Sequence, residues 1–298
     1  MRFILYNPTS GNGESTSRAS AYFATVDGEA EFYDLTATAD LREKLDRPSS
    51  LSDEVIIFGG DGTLNRIINE IPDLADRYTV LYYPSGTGND FCLDVGKTEA
   101  DAPFEINRYL KNLPTVTVNG STYRFLNGVG FGIDGYCCEV GDACRAKGKK
   151  PNYTAIAIKG LLFFFAPRNA TVTVDGETRT YKKVWIAPTM FGRHYGGGMI
   201  PTPNQSREDE EGRLSLMLFH GSGKIRTLSI FPSIFKGEHV KHTDCVEVLT
   251  GKNITVCFDR PTPLQIDGET FLNITEYSVS SATLAPVSAA AEEEEATV

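Results

Sequence analysis

The chain has 298 residues, of which 41% are hydrophobic and 23% are charged, a composition typical of a globular protein with a sizeable core. Its formal net charge of −10 disfavours a broad nucleic-acid-binding surface. The longest apolar stretch, residues 155–166, contains Lys159 and is shorter than the roughly 20 residues that span a bilayer, so we expect a soluble, cytoplasmic protein.

Short apolar runs alternate with helix-like segments in the first part of the chain. Predicted strands cover residues 2–6, 29–33, 54–58 and 79–83, and predicted helices cover residues 15–25, 38–47 and 64–71. Strands that alternate with helices in this way indicate a mostly parallel, doubly wound sheet. We therefore predict an α/β domain over residues 1–114.

The pattern changes near Pro114, after which short β-rich runs dominate. These runs cover residues 115–118, 123–129, 171–174, 183–188, 214–219, 245–249, 253–258 and 277–281. Turn signals such as Asn119-Gly120 and Asp175-Gly176 separate several of them, which predicts a largely antiparallel second domain over residues 115–284. The small and acidic residues 285–298 predict a disordered tail.

Three glycine-rich turns follow predicted strands of the first domain. They are residues 7–13, Gly59-Gly60-Asp61-Gly62-Thr63 and residues 84–90. Glycines let backbone N–H groups approach an anion, and a helix N-terminus adds partial positive charge. Asp61 is suited to engage a magnesium ion that bridges phosphates. A single such turn could be a simple strand-to-helix connection, but three at the carboxyl edge of one sheet predict a nucleotide site.

Two other glycine-containing segments imitate known motifs. Gly96-Lys97-Thr98 resembles the end of a P-loop, but Phe91 stands where that motif needs glycine. Residues 130–135 fit a dinucleotide fingerprint, yet they lie beyond the α/β region and no acidic residue follows about 20 positions later. We interpret residues 130–135 as a tight structural turn.

An ordered set of motifs runs along nearly the whole chain. In chain order they are Asn7-Pro8-Thr9-Ser10-Gly11, Gly59-Gly60-Asp61-Gly62-Thr63-Leu64-Asn65, Gly86-Thr87-Gly88-Asn89-Asp90-Phe91, Asn127-Gly128-Val129-Gly130-Phe131-Gly132-Ile133-Asp134, Gly196-Gly197-Gly198-Met199 with Pro201, and Gln265-Ile266-Asp267-Gly268-Glu269. This set resembles the diacylglycerol kinase catalytic family, which also contains sphingosine kinases and bacterial lipid kinases. The resemblance implies a Rossmann-like nucleotide domain followed by an antiparallel β-sandwich domain, with the active site between them.

The resemblance also implies roles for individual residues. Those expected to contact ATP are Asn7, Pro8, Thr9, Ser10, Gly11, Thr36, Gly59, Gly60, Asp61, Gly62, Thr63, Asn65, Gly86, Thr87 and Asn89. Thr38 is a near alternative to Thr36. The general base is expected in Asp267-Gly268-Glu269, and we favour Glu269 over Asp267 as the acceptor of the hydroxyl proton, with Asp61 supporting catalysis through Mg²⁺.

A second magnesium site is implied near Glu211. Some bacterial members hold a structural magnesium ion through an Asp-Gly pair ahead of a strand, and Glu211-Gly212 occupies that place here. The main-chain oxygens of Glu208 and Arg213 would complete the site. A solvated acidic loop explains residues 208–211 equally well.

A basic cluster precedes the apolar stretch 155–166. It consists of Arg145, Lys147, Lys149 and Lys150. Together with the aromatic residues 163–165, this cluster could contact a membrane peripherally and admit a lipid. A buried helix with a solvated, charged approach is the alternative.

From these features we expect an ATP-dependent lipid kinase that uses Mg²⁺ and acts on a lipid alcohol, with diacylglycerol foremost. A polyprenol, phosphatidylglycerol and a sphingoid base also present a hydroxyl near an apolar tail. Two alternatives remain open. An NAD kinase-like enzyme also uses a Gly-Gly-Asp-Gly-Thr turn, although the later motifs favour lipid kinases. A non-catalytic lipid-binding or regulatory module is disfavoured by the intact Asp61, Asp267 and Glu269. The oligomeric state stays open.

Overall fold

Strands alternate with helices in the first 114 residues of the computed structural model, which describes residues 1–13, 15–25, 29–46, 52–86 and 88–282. Thr87 and the predicted tail 285–298 lie outside the described residues. In chain order the elements are β1 (Arg2–Tyr6), α1 (Ser15–Phe23), β2 (Ala30–Asp34), α2 (Leu41–Leu45), β3 (Glu54–Gly59), α3 (Asp61–Glu70), α4 (Leu74–Arg77), β4 (Thr79–Pro84), α5 (Asp90–Asp94), β5 (Phe104–Glu105) and α6 (Asn107–Leu110).

These strands form one sheet in the order β2-β1-β3-β4-β5. The first four strands are parallel, and the short β5 is antiparallel to β4. Alternate residues of β1 face opposite sides: Phe3 packs with Leu64 and Ile67 of α3, whereas Ile4 packs with Ala19 of α1. Helices therefore cover both faces of the sheet, which confirms the doubly wound α/β prediction.

Antiparallel strands dominate the rest of the described chain. The elements are β6 (Thr115–Val118), β7 (Ser121–Arg124), β8 (Gly128–Phe131), α7 (Ile133–Ala146), α8 (Tyr153–Lys159), a π-helix (Gly160–Phe164), β9 (Arg168–Val174), β10 (Glu177–Val184), β11 (Thr189–Met190), β12 (Leu214–Phe219), α9 (Lys224–Ile230), β13 (Val246–Gly251), β14 (Asn253–Ile266) and β15 (Glu269–Ser280). Their sheet follows the order β13-β12-β11-β8-β14-β15-β6-β7, and β9 pairs with β10 and β14. The predicted antiparallel second domain is confirmed.

The long hairpin β14–β15 organises this sheet. Its turn, Asp267-Gly268, has positive φ at both residues (46° and 94°), a geometry that asparagine, aspartate and glycine tolerate. The apolar side chains of β14 alternate into a buried core with those of β8, β9 and β12. The hairpin therefore holds Asp267 and Glu269 on a rigid turn.

The interpretation of residues 130–135 as a tight turn was wrong. Gly128–Phe131 is a buried strand and α7 begins at Ile133, with only Gly132 (φ 124°) making the bend. A Cβ at Gly130 would fall 1.6 Å from Asp134 Oδ2 and 2.6 Å from Gln265 Nε2. Glycine is present there because two side chains occupy the space that its own side chain would need.

The apolar stretch 155–166 is neither one continuous α-helix nor wholly buried. α8 runs into the π-helix Gly160–Phe164, in which Leu161 is buried while Phe163 and Phe164 are 72% and 70% exposed. No helix among the described residues is both long and apolar enough to pass through a membrane.

Candidate functional site

The three glycine-rich turns meet at the carboxyl edge of the parallel sheet. A Cβ added at Gly11 would fall 2.1 Å from the Ser85 carbonyl oxygen, and one added at Gly86 would fall 2.4 Å from the Cα of Gly60. The turns after β1, β3 and β4 therefore pack backbone against backbone. They present main-chain groups rather than side chains at this edge.

Side chains of the first two turns reinforce this contact. Asn7 Nδ2 donates to Thr63 Oγ1 at 3.4 Å, and Ser10 Oγ lies 3.4 Å from the same oxygen. Asn7 Oδ1 in turn accepts from the backbone N–H of Thr9, which fixes the turn that contains Pro8. The first turn of α3 lies beside them, with Gly60 as its N-cap residue. A helix N-terminus flanked by glycine turns is a favourable place for phosphate.

Asp61 lies at the start of α3, and its carboxylate accepts three hydrogen bonds. Oδ2 accepts from the Asp90 backbone N–H at 2.9 Å, and Oδ1 accepts from the Phe91 backbone N–H at 3.0 Å. Asn127 Nδ2 also donates to Oδ1, at 3.2 Å. Asp61 thus joins the second glycine turn to the start of α5 and to the second domain. An ionised carboxylate has about four acceptor positions, so one remains for a ligand.

Asp90 is a second carboxylate beside Asp61, and it is buried. Its oxygens accept from the backbone N–H groups of Gly197 and Gly198 at 2.8 and 2.7 Å. Burial, followed by the negative charge of Asp61, raises the pKa of Asp90 to about 6. Asp61 and Asp90 both face Gly88, where a Cβ would lie 3.7 and 3.6 Å from their Oδ2 atoms.

Asp61 and Asp90 are the two carboxylates at this edge that could hold a magnesium ion. Mg²⁺ in nucleotide sites is held by one or two carboxylates together with phosphates and water. Among the described residues, no group of three or more His, Cys, Asp or Glu side chains could hold a metal ion by itself.

Asp267 is saturated by hydrogen bonds from the protein. Its carboxylate accepts from the backbone N–H groups of Leu126, Asn127 and Gly128 and from Asn65 Nδ2. Four donors fill its acceptor positions, so no lone pair is left for a substrate proton. Asp267 holds the loop before β8 in place. Asn65 is buried in this network, and its contact with ATP stays a prediction.

Glu269 is exposed and lies over the second glycine turn. Its Oε1 is 3.3 Å from the position that a Cβ on Gly62 would take. Partial desolvation, then the charge of Asp142, raises the pKa of Glu269, and Arg145 opposes this shift. A carboxylate from the second domain thus stands at the N-terminus of α3 in the first.

A buried network that the motifs did not predict connects the two domains near this site. Arg207 donates to Asp94 of α5, to the Leu126 carbonyl oxygen and, at 2.7 Å, to Asn127 Oδ1. Its guanidinium lies 5.2 Å from the ring centroids of both Phe91 and Phe191. Because Asn127 also donates to Asp61, Arg207 positions a group that contacts the second glycine turn.

The remaining predicted residues differ in their surroundings. Thr36 lies on the loop after β2 and its Oγ1 donates to Asp34, the last residue of that strand. This loop borders α3, because Arg66 donates to the Leu35 carbonyl oxygen. Asn89 closes its own turn by donating to the Gly86 carbonyl oxygen and accepting from the Gly86 N–H. Both remain predicted nucleotide contacts.

Glu211 lies apart from the glycine turns on an exposed loop. Its carboxylate is 3.6 Å from the guanidinium of Arg213, which also binds Asp209 at 3.0 Å. The acidic loop is thus partly neutralised by arginine. The magnesium site at Glu211 and the solvated acidic loop both stay predictions.

Comparisons with known proteins agree with this architecture. Residues 2–117 match the model of the diacylglycerol kinase catalytic domain, and residues 127–284 match the model of the YegS C-terminal NAD kinase beta sandwich-like domain. The chain is 24% identical over 245 residues to YtlR of Bacillus subtilis, provisionally named a lipid kinase, covering 76% of this chain and 77% of YtlR. It is 24% identical over 212 residues to a protein named diacylglycerol kinase from Mycobacterium tuberculosis, covering 69% of this chain and 67% of that protein.

A solved structure described as a diacylglycerol kinase from Bacillus anthracis has the same fold. It superposes with a TM-score of 0.60 at 19% sequence identity, and the match covers 94% of each chain. The match extends through both domains, so the arrangement of the α/β domain and the antiparallel domain is shared.

Proposed function

The chain belongs to the diacylglycerol kinase catalytic family of lipid kinases, and from this membership we propose that it transfers the γ-phosphate of ATP to the hydroxyl of a lipid, with diacylglycerol as the foremost acceptor. A lipid acceptor resides in a bilayer, so peripheral contact with a membrane is part of the proposal. The relatives named above support the class of reaction, and the site supports the roles given below.

The observation that carries the proposal is the position of Glu269. A solvent-accessible carboxylate stands 3.3 Å from where a side chain on Gly62 would begin, beside the N-terminus of α3. Phosphate bound on the glycine turns and a hydroxyl beside Glu269 would therefore be neighbours. This is the juxtaposition that in-line transfer of a phosphoryl group requires.

We assign the proton-accepting role to Glu269 rather than to Asp267. Burial raises the pKa of both carboxylates, so accessibility decides between them: Glu269 is exposed, whereas Asp267 is buried and accepts hydrogen bonds from four N–H donors. Asp267 fixes the loop that presents Asn127 to Asp61. In this proposal Asp267 acts through positioning and Glu269 contacts the acceptor.

We further propose that ATP binds across the three glycine turns, with Asp61 and Asp90 holding its magnesium ion. Mg²⁺ would neutralise negative charge on the phosphates during transfer. The protein supplies the helix N-terminus, the exposed backbone of the turns, and the two carboxylates around Gly88. The mutual repulsion that raises the pKa of Asp90 would fall when a cation binds between these carboxylates.

The test is transfer of labelled γ-phosphate from ATP, with magnesium, to a panel of lipid alcohols in mixed micelles. The panel includes diacylglycerol, a polyprenol, phosphatidylglycerol and a sphingoid base. Glu269→Gln is expected to lower kcat by at least about a hundredfold, the usual contribution of a general base. Glu276→Gln, at an outward-facing carboxylate of the same strand β15, is the matched control and should keep wild-type activity.

The outcomes separate the alternatives. Labelling of one lipid class, lost in Glu269→Gln and kept in Glu276→Gln, supports the proposal and identifies the acceptor. Phosphorylation of NAD in the same assay would instead support an NAD kinase-like enzyme. Folded protein that neither binds ATP nor labels any acceptor would support a non-catalytic module.

A further inference from the structure

One residue of the motif that contains the candidate base has no part in the chemistry proposed above. Gln265, two positions before Asp267, is buried, and its Oε1 accepts from the backbone N–H of Gly268 at 2.7 Å. Gly268 is the second residue of the two-residue turn between β14 and β15, and Glu269 follows it. A side chain of β14 therefore holds the peptide that leads directly to the candidate proton acceptor.

This hydrogen bond is not needed to form the turn. The hairpin of β9 and β10 turns through Asp175-Gly176 with φ values of 47° and 91°, and those of Asp267-Gly268 are 46° and 94°. In the part of the chain that the structure describes, no side chain accepts from the glycine N–H of that other turn. Thr173, in the place that Gln265 has, bonds to Thr178 across the hairpin instead. An Asp-Gly turn thus adopts this geometry unaided, and the bond to Gln265 has another purpose.

The amide nitrogen of Gln265 is anchored on a buried carboxylate. Gln265 Nε2 and Asp134 Oδ2 share the space above Gly130, where an added Cβ would meet them at 2.6 and 1.6 Å. Burial raises the pKa of Asp134 to about 6, and hydrogen bonds from backbone N–H groups and from the side chains of Tyr195 and Gln265 oppose that rise. The amide of Gln265 therefore bridges Asp134, at the start of α7, and Gly268 in the turn.

Asp134 also reaches the other side of the candidate site. Tyr195 Oη donates to Asp134 Oδ2 at 3.3 Å. The loop that follows Tyr195 holds Asp90 through two backbone N–H groups. A buried series of side chains thus runs from the loop at Asp90 through Asp134 and Gln265 to the turn before Glu269.

We propose that Gln265 is a positioning residue for phosphate transfer, which holds the Gly268 peptide so that the Glu269 carboxylate stays over the glycine turns. Asp134 sets the orientation of the Gln265 amide, because a carboxylate attracts the NH₂ group and leaves the amide oxygen for the Gly268 N–H. Gln265 acts through Glu269 and contacts neither substrate. The proposal rests on the proposed function in taking Glu269 as the proton acceptor, and a displacement of about 1 Å at such a group can cost about a hundredfold in rate.

Gln265→Glu tests the orientation of the amide. It replaces the NH₂ group by a second carboxylate oxygen and hardly changes the size of the side chain. The new carboxylate would face that of Asp134, and the repulsion should draw it away from the Gly268 N–H. We expect kcat for lipid phosphorylation to fall at least about tenfold, while the affinity for Mg-ATP stays within about twofold of wild type, because Gln265 lies outside the glycine turns.

Asn107→Asp is the matched control. Asn107 Oδ1 also accepts from a backbone N–H, that of Val80 at 2.7 Å. Its Nδ2 donates to the carbonyl oxygens of Ala75 and Tyr78, so the substitution again turns a donor towards oxygen into a carboxylate oxygen. Asn107 binds the first part of β4, whereas the glycine turn follows the other end of that strand. Asn107→Asp should therefore lower stability and keep the wild-type kcat.

A second substitution should restore the activity that Gln265→Glu loses. In Gln265→Glu/Asp134→Asn the amide and the carboxylate exchange places, so an NH₂ group again faces a carboxylate and the Gly268 N–H keeps an acceptor. The net charge equals that of wild type. We expect kcat to return to within about fivefold of wild type, whereas independent effects would multiply the losses of the two single variants.

Hydrogen exchange at Gly268 provides a measurement that does not depend on activity. Gly268 and Gly176 are both exposed and both follow an aspartate, so their free exchange rates are comparable. In wild type labelled with isotopic glycine, the Gly268 N–H should exchange at least about tenfold more slowly than the Gly176 N–H, because Gln265 accepts from it. Gln265→Met, which has a similar size and no amide, should bring the two rates together.

Three results would overturn the proposal. The first is a kcat of Gln265→Glu equal to that of Asn107→Asp. The second is a double variant whose loss is the product of the two single losses, because Asp134 and Gln265 would then act independently. The third is equal exchange at Gly268 and Gly176 in wild type, which would mean that the hydrogen bond is absent in solution. If wild type labels no lipid alcohol, the proposed function fails, and the exchange rates then decide whether Gln265 holds the turn.

Discussion

At the residue scale, the hairpin turn contains two carboxylates with different surroundings. Asp267 is buried under four N–H donors, and Glu269, two positions later, is exposed beside Gly62. The alternation of strand and turn directs one side chain into the protein and the other towards the glycine edge. Replacing each carboxylate by the corresponding amide removes its charge while the size and shape of the side chain hardly change. The two variants therefore separate the contributions of Asp267 and Glu269 to stability and activity.

Asp267→Asn is expected to lower the free energy of unfolding by about 2–4 kcal/mol. The amide has one acceptor oxygen, and its NH₂ would face donors, so at least one buried N–H would lose its partner. Asparagine tolerates the positive φ of 46° at this position, and the backbone therefore adds no further cost. Urea denaturation of Asp267→Asn and Glu269→Gln provides the measurement. Equal stability of the two variants would contradict the assignment of Asp267 as the positioning residue.

Asp90 gives a prediction for the pH dependence of stability. Its pKa of about 6 in the folded protein lies above the ordinary value of 3.8, because of burial and the nearby Asp61. The folded state then binds more protons than the unfolded state between these two values. Stability should therefore fall as the pH rises from about 4 to about 6, by up to about 3 kcal/mol at roughly 1.4 kcal/mol per pH unit.

Asp90→Asn should make this profile flatter without abolishing it. Asp134, also buried, has a pKa raised to about 6, and burial also raises the pKa values of Asp267 and Glu269, so at least about half of the slope should remain. Urea denaturation across this pH range measures the slope. Asp244→Asn, at an exposed carboxylate, is the control and should follow the wild-type profile. An unchanged slope in Asp90→Asn would contradict the raised pKa of Asp90.

The sequence identified Asp267 and Glu269 as candidates for the general base, but it could not distinguish a positioning residue from a proton acceptor. The donors to Asp267 from Asn127 and Gly128 lie 140 and 139 positions away along the chain, and pairings of that length leave no local pattern. Likewise, the partner glycines of Asp90 are 107 and 108 positions away. The motif Gly196-Gly197-Gly198 could be recognised in the sequence, but its hydrogen bonds to Asp90 could be seen only in the structure.

At the scale of elements, the parallel strands were the best predicted part of the chain. β1, β3 and β4 agree with their predictions to within a residue at each end, because buried strands are continuous apolar runs bounded by turn signals. α7 was missed, since its sequence contains Gly135 and Gly141 and two adjacent cysteines rather than a clear apolar stripe. The π-helix was missed as well, because periodicity does not distinguish it from a continuation of α8.

The packing of the glycine turns leads to a third prediction. In Gly86→Ala the new Cβ would meet the Gly60 Cα at 2.4 Å, so the turns after β3 and β4 must separate. We expect at least about a tenfold weaker affinity for ATP, together with a loss of stability of about 1–3 kcal/mol, as overpacking typically causes. Calorimetric titration with Mg-ATP and urea denaturation measure the two effects.

Gly223→Ala is the matched control for this prediction. Its φ of −85° suits alanine, and nothing lies within 4 Å of the added Cβ. Both ATP affinity and stability should stay close to the wild-type values. If Gly86→Ala bound ATP as tightly as Gly223→Ala, the glycine edge would not be the nucleotide site.

At the scale of the whole molecule, the site depends on how the two domains are joined. Asp61 belongs to the first domain and Glu269 to the second, and the buried contacts of α5 with residues 193–207 lie between the domains. The side chains of Asp94 and Arg207 are 3% and 5% exposed. Burial would raise the pKa of Asp94, but the ring of His194, whose Nδ1 lies 3.6 Å from Asp94 Oδ1, and the charge of Arg207 outweigh it and lower that pKa to about 2.

Arg207→Ala tests whether this junction supports the site. The substitution removes the buried guanidinium that pairs with Asp94 and leaves a gap between Phe91 and Phe191. We therefore expect the free energy of unfolding to fall by about 3–5 kcal/mol. Arg226→Ala breaks an ion pair of 2.5 Å whose side chains are 53% and 60% exposed, and it should cost no more than about 1 kcal/mol. Urea denaturation compares the two variants.

Arg207→Lys distinguishes a role in the site from a role in stability alone. Lysine keeps the charge beside Asp94 but cannot also donate from a planar fork to Asn127. Asn127 would then be free to turn away from Asp61, so ATP affinity should fall in Arg207→Lys while most of the stability returns relative to Arg207→Ala. If Arg207→Lys restored stability and bound ATP like wild type, the junction would hold the domains together without influencing the nucleotide site. A loss of ATP affinity in the folded lysine variant would instead establish that the position of Asn127 couples the domain junction to Asp61.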